Sequence, residues 1–195
     1  MLHLSYGTAS VFHVLAETVD GQPQGGVVRF PLTFASGILR GRFHPVDGQL
    51  YVVGIKGWST TGNRDGCFQR VRYTGKPVHT VREMRVTSAG VDLAFTNPLD
   101  PEWAGNAENY SAQAWNYRYT EKYGSPDFSV ADPKKQGRDA VEIKAARVSS
   151  DGTRVTLEIP GIRPVMQMSI RFRVRAADGS KVAEEIHSTI HKVPK

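Results

Sequence analysis

Among the Asp-Gly pairs of the chain, Asp47-Gly48, Asp65-Gly66, Asp151-Gly152 and Asp178-Gly179 each stand beside a short apolar run. Such a pair is a strong local hairpin signal, because the tight turn asks for positive φ at its central residues. The signal is densest between Gly37 and Gly75. Ile38, Leu39 and Phe43 sit among arginines, and Leu50, Tyr51, Val52 and Val53 form a short apolar run after Asp47-Gly48. Cys67-Phe68-Gln69-Arg70-Val71-Arg72-Tyr73 then follows Asp65-Gly66. Three strands in so short a stretch predict a meander that makes up most of one propeller blade.

Around this stretch the pattern is also β. Residues 1–19 alternate weakly and predict one or two strands around Gly7. Asp20 to Gly26, DGQPQGG, is expected to be a loop, because it is rich in turn formers. From Thr80 the texture changes. Val81 to Thr87 and Val91 to Thr96 predict two strands joined by Ser88-Ala89-Gly90. One helical turn is expected at Pro101 to Ala104, after an Asp100 cap. A strand from Ser111 follows, then runs over Val141 to Ser149, Arg154 to Ile159, Met166 to Ala176 and Val182 to Ile190. About seven short strands at regular spacing predict a β-sandwich.

The segments Leu39-Arg40-Gly41-Arg42-Phe43, Asp47-Gly48-Gln49-Leu50-Tyr51, Gly54 to Trp58 and Gly66 to Gly75 resemble the end of a sorbosone/glucose-dehydrogenase-like β-propeller. The similarity is to large secreted proteins of planctomycete and verrucomicrobial type, often multidomain and haem-containing. In the second part, Leu93-Ala94-Phe95-Thr96-Asn97-Pro98-Leu99-Asp100, Asn109-Tyr110 and Asp151 to Leu157 resemble bacterial Ig-like domains of S-layer proteins. The chain departs from them by an aromatic and charged insertion between about Trp115 and Asp139. The resemblance implies an all-β chain: a partial β-propeller blade region over residues 1–79, then an Ig-like β-sandwich over 80–195. It also implies a periplasmic or secreted location, with the signal lying upstream in a longer protein.

Composition narrows the class. Among 195 residues, 23% are charged and 39% hydrophobic, as in folded rather than disordered chains. The net charge of +6 permits anionic partners. The basic residues alternate with apolar ones, as in Arg171-Phe172-Arg173-Val174-Arg175, which reads as the wet face of a half-buried sheet. No nucleic-acid signature is present, and none is expected among the partners. Cys67 is the single cysteine, which excludes an internal disulfide, a Cys-x-x-Cys-His haem attachment and a cysteine zinc cluster. No apolar run is long enough to span a bilayer.

Three residue sets could carry chemistry. Arg40, Arg42, Arg70 and Arg72 are the first. The propeller resemblance implies a pyrroloquinoline quinone, whose carboxylates guanidinium groups can grip at two points. That cofactor is expected only with the rest of a propeller, since its site needs loops from many blades, and the solvated-face reading of these arginines is preferred. The second set is Met166, Met168, His187 and His191. Thioether and imidazole suit copper, and two-residue spacing puts Met166 and Met168 on one strand face. The same spacing is core periodicity, so no metal is expected. The third is the stripe Trp115, Tyr117, Tyr119, which could stack on sugar rings. It is expected instead to be packed, against the first unit or the sandwich core. No Ser-His-Asp set, phosphate loop or H-E-x-x-H is present.

These readings predict a non-catalytic C-terminal accessory or interaction module of a larger secreted propeller protein. Its partner would be the remainder of that protein or another extracytoplasmic protein. The alternatives are a fragment of a quinone-dependent sugar dehydrogenase, inactive as this isolated chain, and a carbohydrate-binding module for a polysaccharide.

Overall fold

Strands make nearly all the regular structure of this all-β chain. A computed structural model describes residues 1–121 and 123–195. β1 (Leu2–Ser5) pairs antiparallel with β2 (Ser10–Val19), with Leu2 opposite His13 and Ser5 opposite Ser10. β3 (Gln22–Thr33) follows after Asp20 and Gly21 alone. Both have positive φ, 45° and 81°, as the favoured two-residue hairpin turn requires. The loop expected over Asp20 to Gly26 is therefore a tight turn and the start of a strand. Gly25 and Gly26 serve close backbone approach there. A Cβ on Gly25 would lie 2.0 Å from the Leu15 carbonyl oxygen, and one on Gly26 2.5 Å from that of His187.

The Asp-Gly pairs at 47, 151 and 178 work differently. In each, the glycine alone takes positive φ. The aspartate acts through its side chain: Gln49, Thr153 and Ser180 donate their N–H groups to Asp47, Asp151 and Asp178 at 2.9, 3.0 and 2.9 Å. These are Asx-type turns within longer connections.

The chain divides into two compact units. The first holds residues 1–14 and 29–77, and the second holds 15–28 and 78–195. In the first unit, β4 (Gly37–Phe43), β5 (Leu50–Ile55) and β6 (Gly66–Val71) form an open antiparallel sheet in the order β4-β5-β6. Its inward side meets Val11 and Phe34, giving a small core with Ile38, Leu50 and Val52, against which Leu2, Leu4 and Phe30 pack.

The second unit has two layers. β7 (Val81–Thr87) and β8 (Gly90–Phe95) lead to α1 (Pro101–Ala104). This is the expected single turn, and the Asp100 carboxylate caps it by accepting from the Glu102 and Trp103 N–H groups. A 3₁₀ turn (Ala107–Asn109) precedes β9 (Tyr110–Trp115) and β10 (Asp139–Val141). β11 (Ala145–Val148), β12 (Arg154–Glu158), β13 (Val165–Arg175) and β14 (Lys181–Ile190) complete it. One sheet runs β11-β12-β8-β7. The other places β3, β14, β13, β9 and β10 side by side, with Val28 opposite Ile186. Neither closes. Their apolar faces share one core, where Phe95 and Phe172 meet edge to face at 5.5 Å. The buried Tyr110 hydroxyl donates to the Ala104 carbonyl at 2.8 Å, and burial raises its pKa. Among the described residues no helix is long and apolar enough to cross a membrane.

Candidate interaction face

On β5 the side chains alternate strictly. Leu50, Val52 and Gly54 are buried, so Tyr51, Val53 and Ile55 point the other way. Register then decides what joins them. Arg42 and Arg70 lie opposite Tyr51, one on each side, and Arg40 and Phe68 lie opposite Val53. A bulge at Leu39 sets this phase, because pairing jumps from Ile38 to Arg40. Without the extra residue Arg40 and Arg42 would face inward. The face thus carries two cross-strand rows, Arg42–Tyr51–Arg70 and Arg40–Val53–Phe68.

The face is wet and apolar at once. Phe68 is 72% exposed and Ile55 49%, while Leu39 and Val53 are each 41% exposed. The rings of Tyr51 and Phe68 lie 5.8 Å apart and 24° from parallel, and the His44 ring stands 5.7 Å from Tyr51. Arg42, Phe43, His44, Pro45, Tyr51 and Phe68 border an open groove. The Tyr51 hydroxyl donates to Asp47 Oδ2 at 2.9 Å. The Gln49 N–H, then the Tyr51 hydroxyl and the nearby His44 and Arg70, hold the Asp47 carboxyl below its usual value.

The arginines are the only charged residues in the three strands. Arg40 and Arg42 donate to the carbonyls of Leu39 and Gly41, at 3.1 and 2.8 Å. Among the described residues none of Arg40, Arg42 and Arg70 forms an ion pair with a carboxylate. Their guanidinium groups keep donors free for an anion. The structure therefore gathers Arg40, Arg42 and Arg70 and adds Tyr51 and Phe68, which sequence reasoning passed over. The alternation Tyr51-Val53-Ile55 was the available signal.

The other predicted sets are scattered. Trp115 ends β9 at 7% exposure, with the Arg138 guanidinium 3.8 Å over its ring. No sugar can stack on it. Tyr117 is half exposed and Tyr119 fully exposed, in the 116–138 connection between β9 and β10. The expectation of a packed stripe holds for Trp115 and fails for Tyr119, because the strand stops at Trp115. The connection is held by its own contacts: Asn116 and Phe128 exchange two backbone bonds at 2.8 Å, and Asp127 pairs with Arg138 at 2.7 Å.

Met166 and Met168 do not share a face. A bulge between Val165 and Met168 breaks the alternation, leaving Met166 exposed and Met168 in the core. The Met166 sulfur accepts from the Tyr117 N–H at 3.3 Å, and Met166 borders a surface groove with His191. His187 stands 3.7 Å from Glu185 instead. Among the described residues no three His, Cys, Asp or Glu side chains are gathered as a metal site would need. No family model, curated protein or solved structure matches this chain.

Proposed function

We propose that this chain is a non-catalytic interaction module, the accessory part of a larger extracytoplasmic propeller protein, and that the outward face of β4–β6 is its binding surface. The observation that carries the reading is the composition of that face. Arginine, tyrosine and phenylalanine stand among exposed aliphatic side chains, with no lysine or carboxylate in the three strands. Binding surfaces are enriched in those residues, and exposed apolar side chains gathered on one face mark a place that something covers.

The resemblance of segments between Leu39 and Gly75 to the end of a sorbosone/glucose-dehydrogenase-like propeller suggests what the larger protein is. The likeness of residues 80–195 to bacterial Ig-like domains supports an accessory sandwich. A pyrroloquinoline quinone would belong to the complete propeller. A second reading, as a carbohydrate-binding module, is favoured by Tyr117 and Tyr119, which stand in water on a connection tied down at both ends. Sequencing the coding DNA upstream of the Met1 codon tests the main reading. Further in-frame blades and a secretion signal are expected. A stop codon immediately upstream, with no such frame, would overturn it.

A further inference from the structure

Charge is divided unequally between the two units. Residues 1–14 and 29–77 contain eight Arg and Lys against two Asp, while the rest of the chain contains seventeen basic and seventeen acidic residues. The whole net charge of +6 therefore belongs to the first unit. Such asymmetry attracts an anionic partner to one part of a chain. We propose that the Arg42–Tyr51–Arg70 row binds an acidic polysaccharide, a uronic acid polymer, with Arg40 and Phe68 extending the site. This rests on the reading of the β4–β6 face as the binding surface.

The geometry of the row favours that chemistry. Neighbouring strands are about 5 Å apart, so Arg42 and Arg70 stand one strand to either side of Tyr51. A uronic acid carries its carboxylate directly on the sugar ring. When the C–H face of that ring lies on the Tyr51–Phe68 stack, whose Phe68 ring is open to water, the carboxylate is held beside the neighbouring strands, where an arginine can take it with two parallel hydrogen bonds. In a nucleotide the phosphate is separated from the base by a whole sugar, so its charge lies farther from a stacked ring than the carboxylate of a uronic acid does. A protein partner would have to supply carboxylates to three guanidinium groups while removing them from water, at a large desolvation cost. The one carboxylate nearby, Asp47, is engaged by the Gln49 N–H and the Tyr51 hydroxyl.

Calorimetric titration of the full chain decides this. The probes are polygalacturonate, its methyl ester, polyglutamate and oligo(dT). Polygalacturonate is expected to bind, more weakly as salt rises. Its ester, with the same rings and no charge, is expected not to bind. The Arg42→Gln/Arg70→Gln variant should lose affinity at least about tenfold, a change of roughly 1.4 kcal/mol. Arg42→Lys should lose part of it, because ammonium keeps the charge and lacks the fork. Both variants change exposed side chains and should melt as the wild type does. Three results would overturn the proposal: no binding of polygalacturonate, binding unchanged in the double variant, or equally tight binding of polyglutamate or oligo(dT). The upstream coding DNA tests the module reading separately, so the two can fail independently.

Discussion

The Thr80 hydroxyl donates to Glu184 Oε2 at 3.2 Å, against a carboxyl that burial pushes up to about 7. The bonds from Thr80 and from the Val81 N–H oppose that rise without cancelling it. A carboxyl whose folded value exceeds its unfolded value of 4.5 holds its proton more tightly in the folded state. Its stabilisation is full below about pH 4.5 and is lost as pH rises through about 7. The melting temperature should therefore fall between about pH 5 and 8. Glu184→Gln should remove most of that fall, gaining up to about 3 kcal/mol at the alkaline end. Melts across this range check it, and an unchanged slope in the variant would refute it.

Trp115 is buried in the second unit under the Arg138 guanidinium. Trp115→Ala should cost roughly 3–5 kcal/mol and lower the melting temperature sharply. Tyr119→Ala, at a fully exposed position, should leave it within about 0.5 kcal/mol of wild type. Comparing the two melts tests the placement of the stripe. Equal melting temperatures would contradict it.

Dye-linked oxidation of glucose or sorbosone by the purified chain, supplied with pyrroloquinoline quinone and calcium, is expected to be at background. The three arginines occupy one face of a single three-stranded sheet, whereas a propeller-mouth site is assembled from loops of many blades. Quinone-dependent turnover lost on Arg42→Gln would overturn the non-catalytic reading.

Copper titration should give no submicromolar binding. Met168 is in the core, and His187 neighbours Glu185 rather than Met166 or His191. His187→Ala should leave the titration unchanged. Tight binding abolished by that substitution would mean that the side chains converge in solution.

Legibility in the sequence followed the range of the interaction. Val81–Thr87, Gly90–Phe95 and the Asp100-capped turn were readable to within a residue or two, because alternation and capping are local. Bulges were not. The extra residue at Leu39 decides which way Arg40 and Arg42 point, and the one near Met166 separates it from Met168. Both are fixed by the partner strand, which local composition does not encode. Gly25-Gly26 was misread for the same reason. Its glycines answer to Leu15 and His187, residues from two other strands. The arginine set was visible as alternation, but its union with Tyr51 and Phe68 needed the pairing of β5 with both neighbours.

The β2–β3 hairpin has a consequence for the order of folding. Its turn closes locally at Asp20-Gly21, yet β3 pairs across Gly25–Val28 with Ile186–Thr189 of β14, far later in the sequence. During synthesis the hairpin must wait, with one edge of β3 open, until β14 has left the ribosome. Contacts between residues so distant in sequence form slowly, and an open strand edge is a template for pairing with other chains. Refolding of the second unit should be limited by the arrival of β14, and a chain stopped before Lys181 would keep that edge exposed and aggregate.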